Sequence, residues 1–398
     1  DAEKAEAGAS ATNEDASAAP LDHLGELSRL ALPEDASLGP VSPDGSRIVV
    51  RHRARDSRWY TQTDLFLLDV SGSKNQLEAA GLQDQLLPIS HKLDQEPMGI
   101  VWTSSGLYVS ALSGTASEIF RLAEGVQPQS LDLGEVRPDI AFSLTEAGDL
   151  CFVGASGSRF PEVYVATVGS DGAPRDPVCL TDLGQAVRDW ELGEVKTIRW
   201  KSRDGAEIEG VLRKPAGYEP GRRYPLVFLV HGGPTWASRE QLLEGDDLRY
   251  YPSVQLAARD VLVLKPNYRG SLGRGQDFLE LNAKNLGVGD LWDLESAIES
   301  LTEQGLVDPE RVGCMGWSQG GYISAMAGTH SRSFKAVSVG AGISDWYTYH
   351  ISNDIPQFTD NYLGASPFED REIYERSAPI AALSEHSAPM LIQHCLLY

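Results

Sequence analysis

The sequence predicts an α/β fold with a doubly wound, mostly parallel sheet, and an all-β domain in front of it. Two observations carry this prediction. From about residue 195, short apolar strands alternate with longer helical patterns, and between about residues 40 and 190 tight turns repeatedly open β-rich runs. Alternation of apolar strands with helices is typical of a parallel sheet that helices cover on both faces.

The domain organisation follows from length and local composition. At 398 residues the chain is too long for one ordinary domain. Residues 1–22 are rich in alanine and acidic residues, and we expect them to be disordered or to form a linker. We therefore assign residues 23–194 to the all-β domain and residues 195–398 to the α/β domain.

The all-β domain repeats one pattern. Tight turns with Gly45, Gly106 and Gly148 each enter a β-rich run that a further strand follows. The turn glycines lie 61 and 42 residues apart, and repeats of about 40–50 residues with several strands each are the signature of propeller blades. The pattern predicts a partial β-propeller with room for three or four blades. A β-sandwich made of irregular meanders is the alternative.

The α/β domain begins with a hairpin at residues 196–213, joined by an Arg-Asp-Gly turn. The strands predicted after it are short and apolar: 226–230, 261–265, 312–315, 336–339 and 390–393. The clearest helix covers residues 290–303. Its apolar residues recur on one face at helical spacing: Leu291, Leu294, Ile298 and Leu301.

The composition argues against several classes of partner. A formal net charge of −23 disfavours nucleic acid and anionic membrane surfaces as partners, although acidity mostly reports solubility. The sequence has no apolar run of about 18 residues that could span a membrane. Its four cysteines, Cys151, Cys179, Cys314 and Cys395, have neither disulfide nor zinc-site spacing. We therefore expect a cytoplasmic protein without a metal or cofactor.

The strongest local signal is the sequence GWSQGG at residues 316–321. It follows an apolar strand and precedes a helical stretch, which is the context that a nucleophile elbow requires. Such a turn accepts only small residues beside the serine and lifts the Ser318 hydroxyl above the carboxyl end of the sheet. An ordinary serine in a glycine-rich turn is the alternative. The context favours an α/β-hydrolase domain with Ser318 as its nucleophile.

The second signal is the sequence HGGP at residues 231–234, directly after an apolar strand. Glycine at this place lets a backbone N–H group approach a substrate carbonyl closely. The second donor would be the N–H group of Gln319, the residue after the nucleophile. On its own HGGP is only a turn, but ahead of GWSQGG it predicts an oxyanion loop that stabilises the transition state by several kcal/mol.

These motifs, in this order and after propeller-like repeats, resemble the prolyl oligopeptidase family of serine peptidases, above all its acylaminoacyl-peptidase and dipeptidyl-peptidase-like branches. Further matching segments cover residues 200–205, 224–226, 266–273, 289–293, 308–312 and 387–394. The resemblance implies a peptidase that hydrolyses short or acylated peptides through an acyl-enzyme on Ser318. It also implies that the N–H groups of Gly233 and Gln319 form the oxyanion hole.

The resemblance implies roles for residues around the nucleophile as well. The loop at residues 267–273, which contains Tyr268, would shape the wall of the substrate site. A buried Arg269 that ties loops together is the alternative for this loop. Asp345 and Trp346 lie where family members often line the substrate pocket, and simple packing is the alternative for that pair.

The chain departs from the family pattern after its last matching segment. There the family continues into the triad aspartate and then the triad histidine, whereas this sequence stops at Tyr398, four residues after His394. The comparison indicates a C-terminally truncated member in which Ser318 lacks its base and keeps a weakly nucleophilic hydroxyl. Three hypotheses stay open: a peptidase of this family, a carboxylesterase-like hydrolase with the same elbow, and a catalytically inactive binding homologue.

Overall fold

The computed structural model describes residues 32–394, apart from residues 54, 57, 72–84, 170, 246 and 248–250. The linker predicted at residues 1–22 lies outside the described residues. The described chain forms three four-stranded sheets and one seven-stranded sheet. None of the helices in these ranges combines the length and apolar character that crossing a lipid bilayer requires.

Three antiparallel meanders form the N-terminal half, each with its four strands in chain order. The first contains β1 (Ser37–Val41), β2 (Arg47–His52), β3 (Asp64–Asp69) and β4 (Leu87–Pro88). The second contains β5 (Pro97–Thr103), β6 (Gly106–Ser113), β7 (Ala116–Leu122) and β8 (Gln129–Ser130). The third contains β9 (Arg137–Leu144), β10 (Asp149–Ser156), β11 (Arg159–Val168) and β12 (Pro174–Cys179).

Apolar side chains join these meanders face to face. The first and second sheets share a buried cluster that includes Val49, Leu65, Val109 and Phe120. The second and third sheets share another, which includes Tyr108, Ile119, Phe152 and Tyr164. The second sheet uses neighbouring residues of β6 for the two clusters because successive side chains of a strand point to opposite faces. Stacked four-stranded meanders are the arrangement of propeller blades, and the predicted partial propeller is confirmed.

A mixed sheet forms the C-terminal half, in the strand order β13-β14-β16-β15-β17-β18-β19. Its strands are β13 (Val195–Lys201), β14 (Glu207–Arg213), β15 (Tyr224–Val230), β16 (Leu262–Asn267), β17 (Val307–Trp317), β18 (Ala336–Gly340) and β19 (Met390–Gln393). The pairs β13–β14 and β14–β16 are antiparallel, and the other neighbours are parallel. The prediction of a mostly parallel sheet is therefore confirmed.

Helices cover this sheet. They are α1 (Ser253–Ala257), α2 (Gly275–Glu280), α3 (Gly289–Glu303), α4 (Gln319–His330), α5 (Trp346–Ser352), α6 (Gln357–Leu363) and α7 (Arg371–Arg376). The helix predicted at residues 290–303 is α3, and its four leucine and isoleucine positions are buried in one large apolar cluster with strands β15 and β16. Burial explains why β15 and the first half of β16 are almost wholly apolar.

The direction of the strands determines where a site can form. Because β15, β16, β17 and β18 are parallel, their carboxyl ends meet at one edge of the sheet, where α/β folds bind ligands. The loops that leave these ends begin at His231, Tyr268, Ser318 and Ala341. The two motifs HGGP and GWSQGG therefore lie beside each other although 85 residues separate His231 from Gly316 in the chain.

Candidate active site

Ser318 occupies the sharp turn between β17 and α4. Its backbone has φ 58° and ψ −122°, a conformation with positive φ that residues other than glycine rarely adopt. The Ser318 N–H group donates to the carbonyl oxygen of Gly340 at 2.9 Å, which secures the turn to the end of β18. The residue is exposed to solvent. The predicted strand–turn–helix context is present, and it holds the hydroxyl outside the sheet.

Close backbone contacts explain the glycines around the serine. A Cβ atom on Gly320 would lie 2.0 Å from the carbonyl oxygen of Val230, and one on Gly316 would lie 2.4 Å from the backbone of Gly320. Any side chain at either position would collide with main-chain atoms, which have little freedom to move. The absence of side chains lets the first turn of α4 pack directly against the end of β15.

The HGGP loop lies against Ser318. A Cβ atom built on Gly232 would be 3.3 Å from the Cβ and 3.8 Å from the Oγ of Ser318, so no side chain separates the loop from the hydroxyl. Gly233 has φ 130°, a conformation that favours glycine. Gly232, which the prediction for Gly233 left out, is the glycine in contact with Ser318, and the repeated glycine in HGGP was a signal for both.

The other donor predicted for the oxyanion hole belongs to Gln319. Its N–H group lies in the first turn of α4, where a helix leaves its N–H groups without intrahelical acceptors. The side chain of Gln319 is buried, and its Nε2 atom has no hydrogen-bond partner among the described residues. The oxyanion role of its backbone N–H group stays a prediction.

His231 is part of the scaffold of this loop. Its Nδ1 atom lies 2.8 Å from the carbonyl oxygen of Gly232, and its Nε2 atom lies 3.0 Å from the Oγ of Ser271. The ring stacks on Tyr268 with 4.5 Å between the centroids. Complete burial lowers the pKa of His231 to about 4. The imidazole is therefore neutral near pH 7 and fixes the loop instead of acting as a base towards Ser318.

Tyr268 and Arg269 lie behind the loop. The Tyr268 ring is fully buried, and its hydroxyl donates to the carbonyl oxygen of His231 at 3.1 Å. A buried Tyr268 side chain can support the wall of a substrate site without being open to solvent. Its role in substrate binding stays a prediction. The Arg269 guanidinium forms ion pairs with Asp204 and Asp293 at 2.8 and 2.7 Å. Arg269 is therefore a buried arginine that ties loops together, as the alternative interpretation of residues 267–273 predicts.

Asp345 and Trp346 follow β18 at the same edge. The Asp345 carboxylate caps α5 by accepting from the N–H groups of Tyr347 and Thr348, at 3.3 and 3.1 Å. Trp346 has no exposed surface and packs edge-on against Tyr322, with 4.9 Å between the centroids. Burial makes Trp346 a packing residue in this conformation, as the alternative held. The substrate role assigned to the pair stays a prediction.

The described residues bring no histidine into hydrogen-bond contact with the Ser318 hydroxyl. The Nδ1 atom of His350 lies 2.6 Å from the Oγ1 of Thr359, and that of His330 lies 2.9 Å from the Oγ1 of Thr329. Within the same ranges, no group of three or more histidine, cysteine, aspartate or glutamate side chains could hold a metal ion. The chemistry that this part of the chain presents is an exposed serine hydroxyl beside the glycine-rich HGGP loop.

Part of the chain matches a known family. Residues 249–397 match the model of the prolyl oligopeptidase family. The chain is 32% identical to the uncharacterized peptidase YuxL of Bacillus subtilis over 212 residues. The aligned segment covers 52% of this chain and 31% of YuxL. It is 28% identical to dipeptidyl peptidase 8 of Homo sapiens over 234 residues. The aligned segment covers 56% of this chain and 25% of that peptidase.

The fold is similar to that of solved peptidases. An acylaminoacyl peptidase in complex with Z-Gly-Gly-Phe-chloromethyl ketone superposes with a TM-score of 0.74 and 24% identity, over 91% of this chain and 54% of that one. The shared fold is an α/β-hydrolase domain preceded by part of a β-propeller. The chain spans about half the length of that structure and less than a third of YuxL and dipeptidyl peptidase 8.

Proposed function

We propose that the protein hydrolyses short or acylated peptides through an acyl-enzyme on Ser318, because residues 249–397 match the model of the prolyl oligopeptidase family of serine peptidases. The observation that carries the proposal is the exposed Ser318 at φ 58° on a strand-to-helix turn, facing the HGGP loop. Strained backbone of this kind is typical of functional sites. The family match supports the peptide substrate.

The proposed reaction begins when the Oγ of Ser318 attacks the carbonyl carbon of the substrate and loses its proton to a base. The carbonyl oxygen takes up the negative charge and accepts hydrogen bonds from the N–H groups of Gly233 and Gln319. The carbon–nitrogen bond then breaks, and the departing amine takes the proton. Water hydrolyses the ester on Ser318 and regenerates the hydroxyl. We propose that Asp345, Trp346 and Tyr268 shape the substrate pocket around this centre.

The mechanism needs a base for the Ser318 hydroxyl, and the described contacts of Ser318 do not identify one. No described histidine is hydrogen-bonded to Ser318, and His231 is neutral and bound within its own loop. A serine hydroxyl without a base is a weak nucleophile. We therefore propose that the described part of the chain turns over substrate slowly, on the scale of serine hydrolases that lack their base.

A labelling experiment tests the role of Ser318. The purified chain and its Ser318→Ala variant are incubated with a fluorophosphonate probe and with an acetyl-aminoacyl p-nitroanilide, and the modified peptide is identified by mass spectrometry. We expect slow labelling confined to Ser318 and anilide turnover close to background. Equal labelling of the alanine variant would reject Ser318 as the nucleophile. Fast anilide turnover that the variant loses would show that another group supplies the base.

The same experiment separates the two alternatives. A carboxylesterase-like hydrolase would turn over a p-nitrophenyl ester but not the matching anilide. An inactive binding homologue would bind the peptide without labelling at Ser318, and the lack of a described histidine beside the serine favours this alternative over the esterase. Fold alone does not distinguish these functions.

Domain boundaries and location also belong to the proposal. We propose that residues 23–194 and 195–398 are separate domains, because the three meanders and the seven-stranded sheet share no strand. We propose a cytoplasmic location, since the three described cysteines, Cys151, Cys179 and Cys314, are free thiols. Limited proteolysis near residue 195 tests the first proposal, and fractionation of cells that express the protein tests the second.

A further inference from the structure

The turn between β6 and β7 contacts the α/β domain at two points beside the candidate site. The Gly114 N–H group donates to the carbonyl oxygen of Gly273 at 2.8 Å, and the carbonyl oxygen of Thr115 accepts from the N–H group of Glu240 at 2.7 Å. Gly273 has φ 89°, and a Cβ atom there would lie 2.9 Å from the nitrogen of Gly114. The two backbones are therefore in direct contact.

The first contact leads to the HGGP loop through its histidine. Gly273 follows Ser271 by two residues, and the Oγ of Ser271 lies 3.0 Å from the Nε2 of His231. The Oγ of Ser271 also lies 2.6 Å from the carbonyl oxygen of Tyr268, so the hydroxyl, which has one proton, lies between two acceptors. A displacement of Gly273 is thus passed along the chain to Ser271 and through the Ser271–His231 contact to the residue before Gly232.

The second contact leads to the same loop from its other end. Glu240 follows the loop by six residues, and its carboxylate accepts from the N–H group and the hydroxyl of Thr197 at 2.7 and 2.6 Å. The Oγ1 of Thr115 lies 2.6 Å from the Oγ1 of Thr197. Since Thr197 uses its hydroxyl proton for Glu240, Thr115 is the donor in that contact. Hydroxyl chains that end on a carboxylate strengthen one another.

The chain between the loop and Glu240 is itself fixed to the sheet. The N–H group of Ser238 donates to the Oδ1 of Asn267 at 2.7 Å, and the Nδ2 of Asn267 donates back to the carbonyl oxygen of Ser238 at 2.9 Å. The N–H group of Leu272 donates to the carbonyl oxygen of Trp236 at 3.0 Å. The segment from Trp236 to Glu240 is therefore held at several points, and a movement of the β6–β7 turn would displace it as a unit.

We propose that Thr115 and Glu240 are positioning residues, through which the β6–β7 turn of the propeller part holds the HGGP loop in the geometry that faces Ser318. The proposal deepens the proposed function and rests on it for the catalytic use of that loop. It gives the propeller part a role in alignment of the oxyanion donors. Both residues act through the 235–240 segment, which separates them from the reacting atoms, whereas Gly114 acts through Gly273, Ser271 and His231.

Hydrogen exchange followed by mass spectrometry tests the proposal on the complete chain. The variants are Thr115→Val, which keeps the shape and removes the hydroxyl, and Thr115→Ser, which restores the hydroxyl. Thr145→Val makes the same change in the β9–β10 turn, where Thr145 bonds only locally to Asp149. Loss of one neutral hydrogen bond lowers the protection of backbone N–H groups against hydrogen exchange about fivefold.

We expect Thr115→Val to exchange about fivefold faster across residues 231–236, with α4 unchanged, and Thr115→Ser to exchange like the parent chain. Glu240→Gln should accelerate hydrogen exchange of the same residues. It serves as the second variant if Thr115→Val does not fold. Unchanged exchange at residues 231–236 in a folded variant would overturn the proposal. So would equal acceleration by Thr145→Val, or acceleration that spreads through α4.

The readout separates this proposal from the proposed function. Exchange needs no turnover, so a failure of Ser318 labelling would reject the nucleophile and leave the exchange result standing. Conversely, normal labelling with unchanged exchange in Thr115→Val would keep the peptidase assignment and remove the positioning role. In a preparation with measurable turnover, we expect Thr115→Val to lower kcat with KM little changed, because a misplaced oxyanion donor weakens only the transition state.

Discussion

The guanidinium of Arg269 donates to the carboxylate of Asp293 at 2.7 Å, and both side chains are almost completely buried. The same arginine binds Asp204 in the β13–β14 turn and lies over the Trp292 ring, 5.6 Å from its centroid. It therefore joins α3, a hairpin turn and the loop after β16 directly behind His231 and Tyr268. A buried charge of this kind is held by its partners and is costly once a partner is removed.

The first prediction concerns this ion pair. Arg269→Met leaves the Asp293 carboxylate buried without its partner, so we expect the free energy of unfolding to fall by about 3–5 kcal/mol. Urea denaturation followed by circular dichroism measures the change. Arg311→Gln, which breaks the exposed pair with Asp308, is the matched control and should leave the midpoint unchanged. Equal effects of the two variants would contradict the prediction.

The second prediction concerns the elbow. Gly320→Ala places a Cβ atom 2.0 Å from the carbonyl oxygen of Val230, so α4 must shift away from β15. We expect a loss of about 1–3 kcal/mol in the free energy of unfolding and loss of fluorophosphonate labelling at Ser318. Gly217→Ala, which meets no atom within 4 Å, is the control for the substitution itself. A Gly320→Ala variant that labels normally would show that the elbow tolerates a side chain.

The third prediction concerns pH. Asp290 is fully buried, and desolvation raises the pKa of its carboxyl from its ordinary 3.8 to about 7, helped by nearby Asp293 and opposed by Arg269. Because the folded state binds this proton more tightly than the unfolded state, the stabilisation is complete below pH 4 and is lost as the pH rises through 7. We expect Asp290→Asn to flatten the decline of stability over that interval.

Urea denaturation at several pH values between 4 and 8 measures this dependence. The control is Asp132→Asn, which replaces an exposed carboxylate in the propeller part and should keep the slope of the parent chain. An unchanged slope in Asp290→Asn would mean that other buried carboxyls dominate. Asp64 and Glu96, whose pKa values are also raised by burial, would then be the groups to replace.

The fourth prediction concerns the sheet edge. In the described part of the chain, β19 is the last strand of its sheet, and Leu391 and Ile392 are 60% and 67% exposed. The strand carries no charged residue to oppose pairing with another edge. We expect Ile392→Lys to reduce concentration-dependent light scattering. Val126→Lys changes an equally exposed apolar side chain in a turn, and a similar reduction there would refute the edge as the cause.

Much of the fold is readable from the sequence because the signals are local. The alternation of apolar strands with helices, the face of α3 and the turns at Gly45, Gly106 and Gly148 each depend on residues close in the chain. The same is true of GWSQGG, whose glycines are required by the turn itself. Strand limits were less accurate, since β17 begins at Val307, before the apolar core of the strand at residues 312–315.

The sequence by itself thus determined the order of the elements, the mostly parallel sheet, and Ser318 on a strand-to-helix turn. The tertiary structure decided which of the neighbouring residues are open to solvent. The family resemblance implies substrate-site roles for Tyr268 and Trp346, and both side chains are fully buried in the structure. The contact of Thr115 with Thr197 joins residues 82 positions apart, and no local pattern marks it. Burial and such contacts arise only when distant segments pack together, so they follow from the whole fold.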